Sequence, residues 1–414
     1  MIGGDVGGGG YRRSMRILHT SDWHLGRTLH GVDLVEHQAA YLDHLVELTR
    51  SEGVGAVVVS GDVYDRAIPP VEAVTLLSQT VARLAEHAQV VITPGNHDSA
   101  VRLGFGADIL RSGVHLRARV TDVGCPVELV DPQGGPPVFV YALPYLDPDA
   151  ARTVLRDDAP EPLARSHAAV MGAAMRRVRA DIARRDAVVG SAGPVRSVVM
   201  AHAFVVGGEA SESERDIRVG GVDSVPAGVF EGVDYVALGH LHGPQRVPFP
   251  VGTVGRYSGS PLAYSFSEMR QTKSTVLVDL GSGTNRGVVG DPELHLAPVP
   301  RRLSEVTGTL DDLVGAAGER FRDDWVRLVV TDTARPREMN ARLKAHFPHA
   351  LVMQHRPLSH EPRQRLSLAV TAASDPVGVA TGFVEHVTGE EPSAAEIAVL
   401  RTAFERAAAA ERSA

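Results

Sequence analysis

Five times along this chain a run of apolar, often β-branched residues ends in a small group of carboxylate, amide or imidazole side chains. Arg16-Ile17-Leu18-His19 leads into Asp22-Trp23-His24, and Ala56–Ser60 (AVVVS) into Gly61-Asp62. Gln89–Thr93 (QVVIT) leads into Gly95-Asn96-His97-Asp98, residues 197–201 into His202, and residues 235–238 into Gly239-His240-Leu241-His242. Such short runs suit strands buried on both faces. Residues 36–50 and 71–87 carry apolar side chains at helical spacing between the early runs, and 160–185 is a long Ala/Arg-rich helical stretch. The alternation predicts an α/β fold, with layers of helices against a central sheet. In such sheets the ligand crevice lies beyond the carboxyl ends of the strands. The five motifs therefore predict one shared site, although 220 positions separate Asp22 from His242.

The residue types fit one task. Two carboxylates (Asp22, Asp62), one amide oxygen (Asn96) and four imidazoles (His24, His202, His240, His242) form a mixed O/N donor set without a thiolate. That set suits Mn²⁺, Fe²⁺ or Zn²⁺ better than Ca²⁺ or Mg²⁺, which prefer all-oxygen shells. It also exceeds what one ion takes. Two ions about 3.5–4 Å apart, sharing one carboxylate, would use every donor, hold a hydroxide and clamp a phosphoryl oxygen during in-line displacement. Singly the motifs are weak: Gly-Asp is a common turn, and a lone histidine after a strand is usually just hydrogen-bonded. Their order and completeness make the case, and Gly95-Asn96-His97-Asp98 is the most specific of them.

Residues 1–14 are glycine-rich and lack the apolar core of a secretory signal, so a disordered extension is expected there. The main domain is expected to span 15–295. A change of character near residues 298–300 predicts a small α/β domain over 296–372, with strands at 325–331 and 350–354 around a helix at 336–347. A helical tail is expected over 373–414, interrupted at Gly389-Glu390-Glu391-Pro392 and restarted by the capping pair Ser393 and Glu396. No stretch reaches the roughly 18 apolar residues of a membrane span, and the single cysteine, Cys125, excludes an intrachain disulfide. A net charge of −8 lends no support to a nucleic-acid partner for the chain by itself. Basic residues are almost all arginine, Lys273 and Lys344 being the only lysines, a bias that reads as a coding preference.

The series Asp-x-His, Gly-Asp, Gly-Asn-His-Asp, His and Gly-His-x-His resembles the calcineurin-like metallophosphoesterase superfamily. The longer strings ILHTSDWHLGR, GDVYDRAIPP, PGNHDS, VALGHLHGPQ and SGSPLAYSFSE resemble its DNA-processing branch, the SbcD nuclease subunits. The resemblance runs from Met15 through the tail. It implies a metallophosphoesterase β-sandwich flanked by helices, a small α/β capping domain and a C-terminal helical tail. It implies Asp22, His24 and His242 on a first metal, Asp62 bridging, and Asn96, His202 and His240 on a second, with Mn²⁺ the expected ion. His97 is implied as the catalytic histidine, and Asp98 is expected to orient it by a hydrogen bond. Some related archaeal and eukaryotic nucleases carry a histidine three residues after the bridging aspartate; here that position is Asp65, as is common in bacterial members of the branch.

The implied activity is ATP-dependent double-strand exonuclease and single-strand or hairpin endonuclease action, in DNA repair, recombination and replication in the cytoplasm. The implied partners are DNA and the coiled-coil ATPase subunit SbcC, with a homodimer inside a heterotetramer and no membrane. Arg27 and Arg66 are candidates for backbone phosphates, as are Arg102 and Arg111. In the tail, Phe383, Val384 and Val387, then Ile397, Leu400 and Phe404, form the stripes expected to dock SbcC. Three alternatives remain open: a phosphoprotein phosphatase, which GDVYDR also resembles; a cyclic-nucleotide phosphodiesterase; and an inactive adaptor.

Overall fold

The computed structural model describes residues 14–110, 113–189, 194–214, 224–282, 287–357, 375–388 and 391–411. Of the expected N-terminal extension, residues 1–13 lie outside the described residues, and Ser14 already opens the first strand. In chain order come β1 (Ser14–Thr20), α1 (Val35–Ser51), β2 (Ala56–Ser60), α2 (Val71–Leu84), β3 (Gln89–Thr93), β4 (Val114–Leu116), β5 (Val127–Leu129) and β6 (Val138–Ala142). Next are α3 (Pro148–Val154), α4 (His167–Val189), β7 (Arg196–His202), β8 (Tyr235–Gly239), β9 (Gln245–Arg246) and β10 (Val254–Tyr257). Then follow β11 (Ser274–Gly281), β12 (Gly287–Val288) and β13 (Glu293–Leu296).

These strands make two sheets, where the residue pattern alone predicts one. The first has the order β12-β11-β1-β2-β3-β4, with β13 also on β11; the second has the order β9-β10-β8-β7-β6-β5. Met15, Ile17, Ala56, Val58 and Val91 face Val138, Val140, Val198, Met200 and Ala237 in a dry layer between the sheets. The alternate residues face outward. Leu18, Val57 and Val59 meet Leu42, Leu45 and Leu77 of α1 and α2; Val199 and Leu238 meet Met171, Met175 and Val178 of α4. The result is a four-layer sandwich flanked by helices. Both faces of Ala56–Ser60 are apolar, so a run such as AVVVS carries no alternation that would reveal which sheet it joins.

Strand direction is what builds the site. β1, β2, β3 and β4 are mutually parallel, and so are β6, β7, β8 and β10. Loops leaving β1, β2 and β3 in one sheet, and β7 and β8 in the other, thus open on one edge of the sandwich. Gln38 of α1 secures the first of them. Its buried amide donates to the carbonyls of His24 (2.8 Å) and Trp23 (3.2 Å) and accepts from the Gly26 N–H (3.0 Å).

A third sheet of β14 (Leu303–Gly308), β15 (Trp325–Val330) and β16 (Ala350–His355) is parallel throughout. Its own core joins Val326, Leu328 and Val330 to Leu310, Leu313, Leu343 and Phe347, the last four lying on or beside α5 (Leu310–Leu313) and α6 (Met339–His346). Leu303 and Trp325 pack onto Leu29, Leu34, Leu262 and Phe266 of the main body. The described residues through His355 form one compact unit, apart from Asp332–Ala334. A second unit holds those three residues and the described residues from Arg356 on, including α7 (Pro376–Thr388) and α8 (Ala394–Glu411). The boundary expected near 372 falls outside the described residues. Among the described residues no helix is long and apolar enough to cross a membrane.

Candidate metal centre

The loop after β1 is zipped onto the loop after β2. The N–H groups of Asp22, His24 and Leu25 donate to the carbonyls of Gly61 (3.0 Å), Asp62 (2.9 Å) and Val63 (2.9 Å). The sharp bends this requires show in the backbone: Asp22 (φ 54°), His24 (φ 45°), Asp62 (φ 49°) and His240 (φ 104°) all have positive φ. Left-handed backbone at non-glycine residues costs about 1–3 kcal/mol each and persists only where the surroundings enforce it. Close approach sets a second demand. A β-carbon at Gly95 would overlap the Asp62 carboxylate, and one at Gly239 would overlap the Ser60 carbonyl.

The predicted residues come together. Asp22, His24 and His242 form one group with ligand atoms within 4.8 Å of one another; Asp22, Asp62 and His202 form a second, and His24, Asp62 and His97 a third. Asn96 joins through its Oδ1, 2.9 Å from His202 Nε2. His240 donates its N–H to Asp22 (3.0 Å), and its ring lies 5.3 Å from that of His202. Asp22, His24, Asp62, His202, His240 and His242 are all buried.

His97 sits at the same centre, its Nε2 3.9 Å from Asp62 Oδ2. The hydrogen bond expected from Asp98 is replaced by another: His97 Nδ1 meets the Asp65 carbonyl oxygen at 2.8 Å. Asp98 instead accepts from the backbone N–H groups of Tyr64 (2.8 Å), Gly95 (2.8 Å) and Val63 (3.0 Å). It staples the loop after β3 to the loop after β2, because a side chain directly after His97 on this turn is aimed back at the backbone. The Asp65 carboxylate lies 3.7 Å from His24 Nδ1 and 3.5 Å from Arg27. Arg27 stacks 4.9 Å from the Tyr264 ring and donates to the Ser213 carbonyl, so it is held within the fold. Arg66 and Arg102 are exposed, and Arg111 lies outside the described residues.

The electrostatics describe a pocket built for positive charge. Burial pushes the Asp22 carboxyl up to about 6. Burial also works against charge on Asp62, but His202 and His24 outweigh it and hold that carboxyl well below the usual range. Burial lowers His24, and it lowers His240 to about 3, leaving both rings as neutral nitrogen donors. Against burial, Asp62 raises His202 to about 9. Asp98 is pushed up to about 7 by burial and by Asp62. His24 Nε2 and His242 Nε2 lie 3.1 Å apart, and among the described residues His24 Nδ1 has no hydrogen-bond partner. Clustered ring nitrogens and buried carboxylates of this kind suit divalent ions, so the residues fit a two-metal site.

Several residues around His242 were not anticipated. Its N–H donates to Glu214 (2.8 Å), and its Nδ1 lies 2.7 Å from Ser213 Oγ and 3.3 Å from Glu268 Oε1. Glu268 pairs with buried Lys273 at 2.5 Å. Burial opposes charge on Glu268, and Lys273 and His242 overcome it, holding the carboxyl far below its usual range. The available signal was Lys273 itself, a lysine in a chain that otherwise uses arginine.

Residues 15–244 match the family described as calcineurin-like phosphoesterase. The chain is 36% identical over 344 residues to the SbcD subunit of the SbcCD nuclease of Bacillus subtilis (strain 168), covering 80% of this chain and 83% of that one. Among solved structures it aligns with TT1561 of Thermus thermophilus at a TM-score of 0.38 and 13% identity, over 69% of this chain and 100% of that one. It also aligns with GAP50, the anchor in the inner membrane complex of Plasmodium, at a TM-score of 0.33 and 9% identity, over 84% and 98%.

Proposed function

The chain belongs to the calcineurin-like phosphoesterase family, among the SbcD subunits of SbcCD nucleases, and from that premise we propose that it is the metal-dependent nuclease subunit of an SbcCD-type complex. One observation carries the reading: carboxylate, amide and imidazole donors from five loops and two sheets meet within a few ångströms, in buried surroundings. In this reading Asp22, His24 and His242 hold one ion, Asn96, His202 and His240 the other, and Asp62 lies between them. The mixed O/N set admits Mn²⁺, Fe²⁺ or Zn²⁺, and Mn²⁺ is proposed as the ion from the family resemblance. When bound, the ions supply an activated water and neutralise charge on the phosphodiester. His97, held through Nδ1 by the Asp65 carbonyl, turns its Nε2 toward the same centre and gives a proton to the leaving oxygen. Asp98 fixes the loop that carries Asn96 and His97.

The substrate is DNA, cut from double-stranded ends and at single-stranded or hairpin sites in repair, recombination and replication. The relative's name places it in a two-subunit complex, and SbcC with its ATPase cycle is the proposed partner here. Exposed Phe383 and Phe404, one on each of α7 and α8, support docking through the tail. Val101, Phe105 and Ile109, on the short helix after Ser99 and the turns that follow it, are each more than 80% exposed and support a homodimer. The sheet of β14–β16 is proposed as the cap that limits which strands reach the ions, and the cytoplasm as the compartment. The test is direct. The purified chain with Mn²⁺ is assayed on a hairpin DNA, a phosphopeptide and a cyclic nucleotide, and cleavage of the hairpin is expected to dominate. Preference for either small substrate would move the chain to the phosphatase or cyclic-nucleotide branch.

A further inference from the structure

Lys273 and Glu268 are both essentially removed from solvent, at 5% and 0% exposure. Lys273 Nζ lies within hydrogen-bonding distance of four oxygens: Glu268 Oε2 (2.5 Å), Gln271 Oε1 (2.7 Å), Ser260 Oγ (2.9 Å) and the His242 carbonyl (2.9 Å). The other oxygen of Glu268 accepts from Ser213 Oγ and stands 3.3 Å from His242 Nδ1. An ionised carboxylate only accepts. The Ser213 hydroxyl gives its proton to Glu268, so its oxygen accepts from His242 at 2.7 Å. Both routes require the proton of His242 on Nδ1, which leaves Nε2 as a lone pair, and Nε2 is the atom that lies 3.1 Å from His24 Nε2 in the metal centre.

From this arrangement we infer that Glu268 and Lys273 are positioning residues for His242, fixing its tautomer through Nδ1 and its main chain through the carbonyl, so that the ion shared by Asp22, His24 and His242 is bound tightly. The inference rests on the two-metal reading of the site. Two physical arguments support it. A buried ion pair is rarely a better stabiliser than apolar residues of the same volume, so stability gives no reason to place one here. Partners of a histidine's second nitrogen, in contrast, orient the ring and raise its basicity toward a metal. The chain has 40 arginines and two lysines, yet a lysine fills this position. A compact ammonium can donate in three directions at once to oxygens around it; a planar guanidinium fork cannot.

The experiment is a calorimetric Mn²⁺ titration of the full chain, with melting curves run on the same samples. Glu268→Gln is expected to weaken one Mn²⁺ site by about 10–100-fold and to leave the other unchanged. Because that variant strands the Lys273 charge, the double variant Glu268→Gln/Lys273→Met is measured beside it. It removes both charges at similar volume, and is expected to fold and still to bind one ion weakly. In a His242→Asn background, adding Glu268→Gln is expected to cause no further loss of Mn²⁺ affinity. The assignment is overturned if the double variant binds both ions as the wild type does. It is equally overturned if Glu268→Gln costs as much affinity with Asn at 242 as with His, or if only the melting temperature moves. Wild-type protein that takes up no Mn²⁺ would instead remove the metal centre, and this assignment with it.

Discussion

At the scale of single residues the site is a place where the chain accepts poor local conformations. Four donors (Asp22, His24, Asp62 and His240) sit in left-handed backbone, at about 1–3 kcal/mol each. The dry layer between the sheets offsets this, since a fully buried aliphatic side chain contributes about 1.5–3 kcal/mol and that layer alone holds Ile17, Val58, Val140, Val198 and Met200. Residue types and their order were enough to assemble the seven donors and His97 on paper. The partner of His97 was not legible, because adjacency in sequence does not say which way a side chain leaves a tight turn. Asp98 turned to three backbone N–H groups, and a main-chain oxygen, which no sequence pattern encodes, took the ring. His97 is close to the donors without completing either proposed ligand set, so removing it separates chemistry from binding. His97→Ala is expected to lower kcat for Mn²⁺-dependent DNA cleavage by about 10²–10⁴-fold, the usual worth of a general acid. Metal content by elemental analysis should match the wild type; a variant that turns over normally would remove His97 from the reaction.

At the scale of elements, periodicity located the central strands and the helices that cover them, but it misjudged two things. The long helix begins at His167 instead of near 160, because the preceding segment folds back and Arg165 pairs with Asp149 on the short helix before it. The single expected sheet became two because both faces of AVVVS and its neighbours are apolar. How α4 is tied to the second sheet was also invisible, since the tie joins residues 40 apart. Buried Asp181 on α4 accepts from the Tyr141 hydroxyl of β6 (2.8 Å) and from Arg185 (2.6 Å), with Arg184 on its other oxygen. Burial disfavours its charge, but Arg185 and Tyr141 prevail and lower its pKa. A carboxylate with a depressed native pKa stabilises the fold above its unfolded pKa, and that contribution is lost as pH falls through the native value. Asp181→Asn is thus expected to cost about 1–3 kcal/mol at neutral pH. Urea melts of variant and wild type should converge as the pH is lowered below the carboxylate range. A gap that stayed constant with pH would show that shape, and not charge, holds α4 in place.

For the whole molecule, a net charge of −8 must be reconciled with a polyanionic substrate. Non-specific DNA affinity comes mainly from phosphates neutralised by basic side chains, which this chain does not supply in excess. A homodimer would only double that negative charge, so the missing basic surface must come from a different subunit. The exposed apolar group of Val101, Phe105 and Ile109 is tested separately: Phe105→Asp is expected to yield monomers in analytical ultracentrifugation while Mn²⁺ uptake is retained, and an unchanged sedimentation coefficient would reject the group as an interface. The metal centre bears on the whole fold as well. Its donors come from both sheets, so ions bound there cross-link the two halves of the sandwich at one edge. Ligands that bind only the native state stabilise it by RT ln(1 + [L]/Kd), about 2.7 kcal/mol per site at a hundredfold excess over Kd. Removing them has an added cost, because burial already pushes the Asp22 carboxyl up to about 6 and leaves it poorly compensated. Chelation should therefore lower the melting temperature of the wild type reversibly, with full recovery on adding Mn²⁺. Asp62→Ala removes the carboxylate that belongs to two of the three donor groups. It is expected to melt at the same temperature with and without chelator, and to retain little metal through gel filtration. Should that variant still respond to chelator as the wild type does, Asp62 does not hold the ions together, and the two halves of the sandwich are joined at that edge by protein contacts alone.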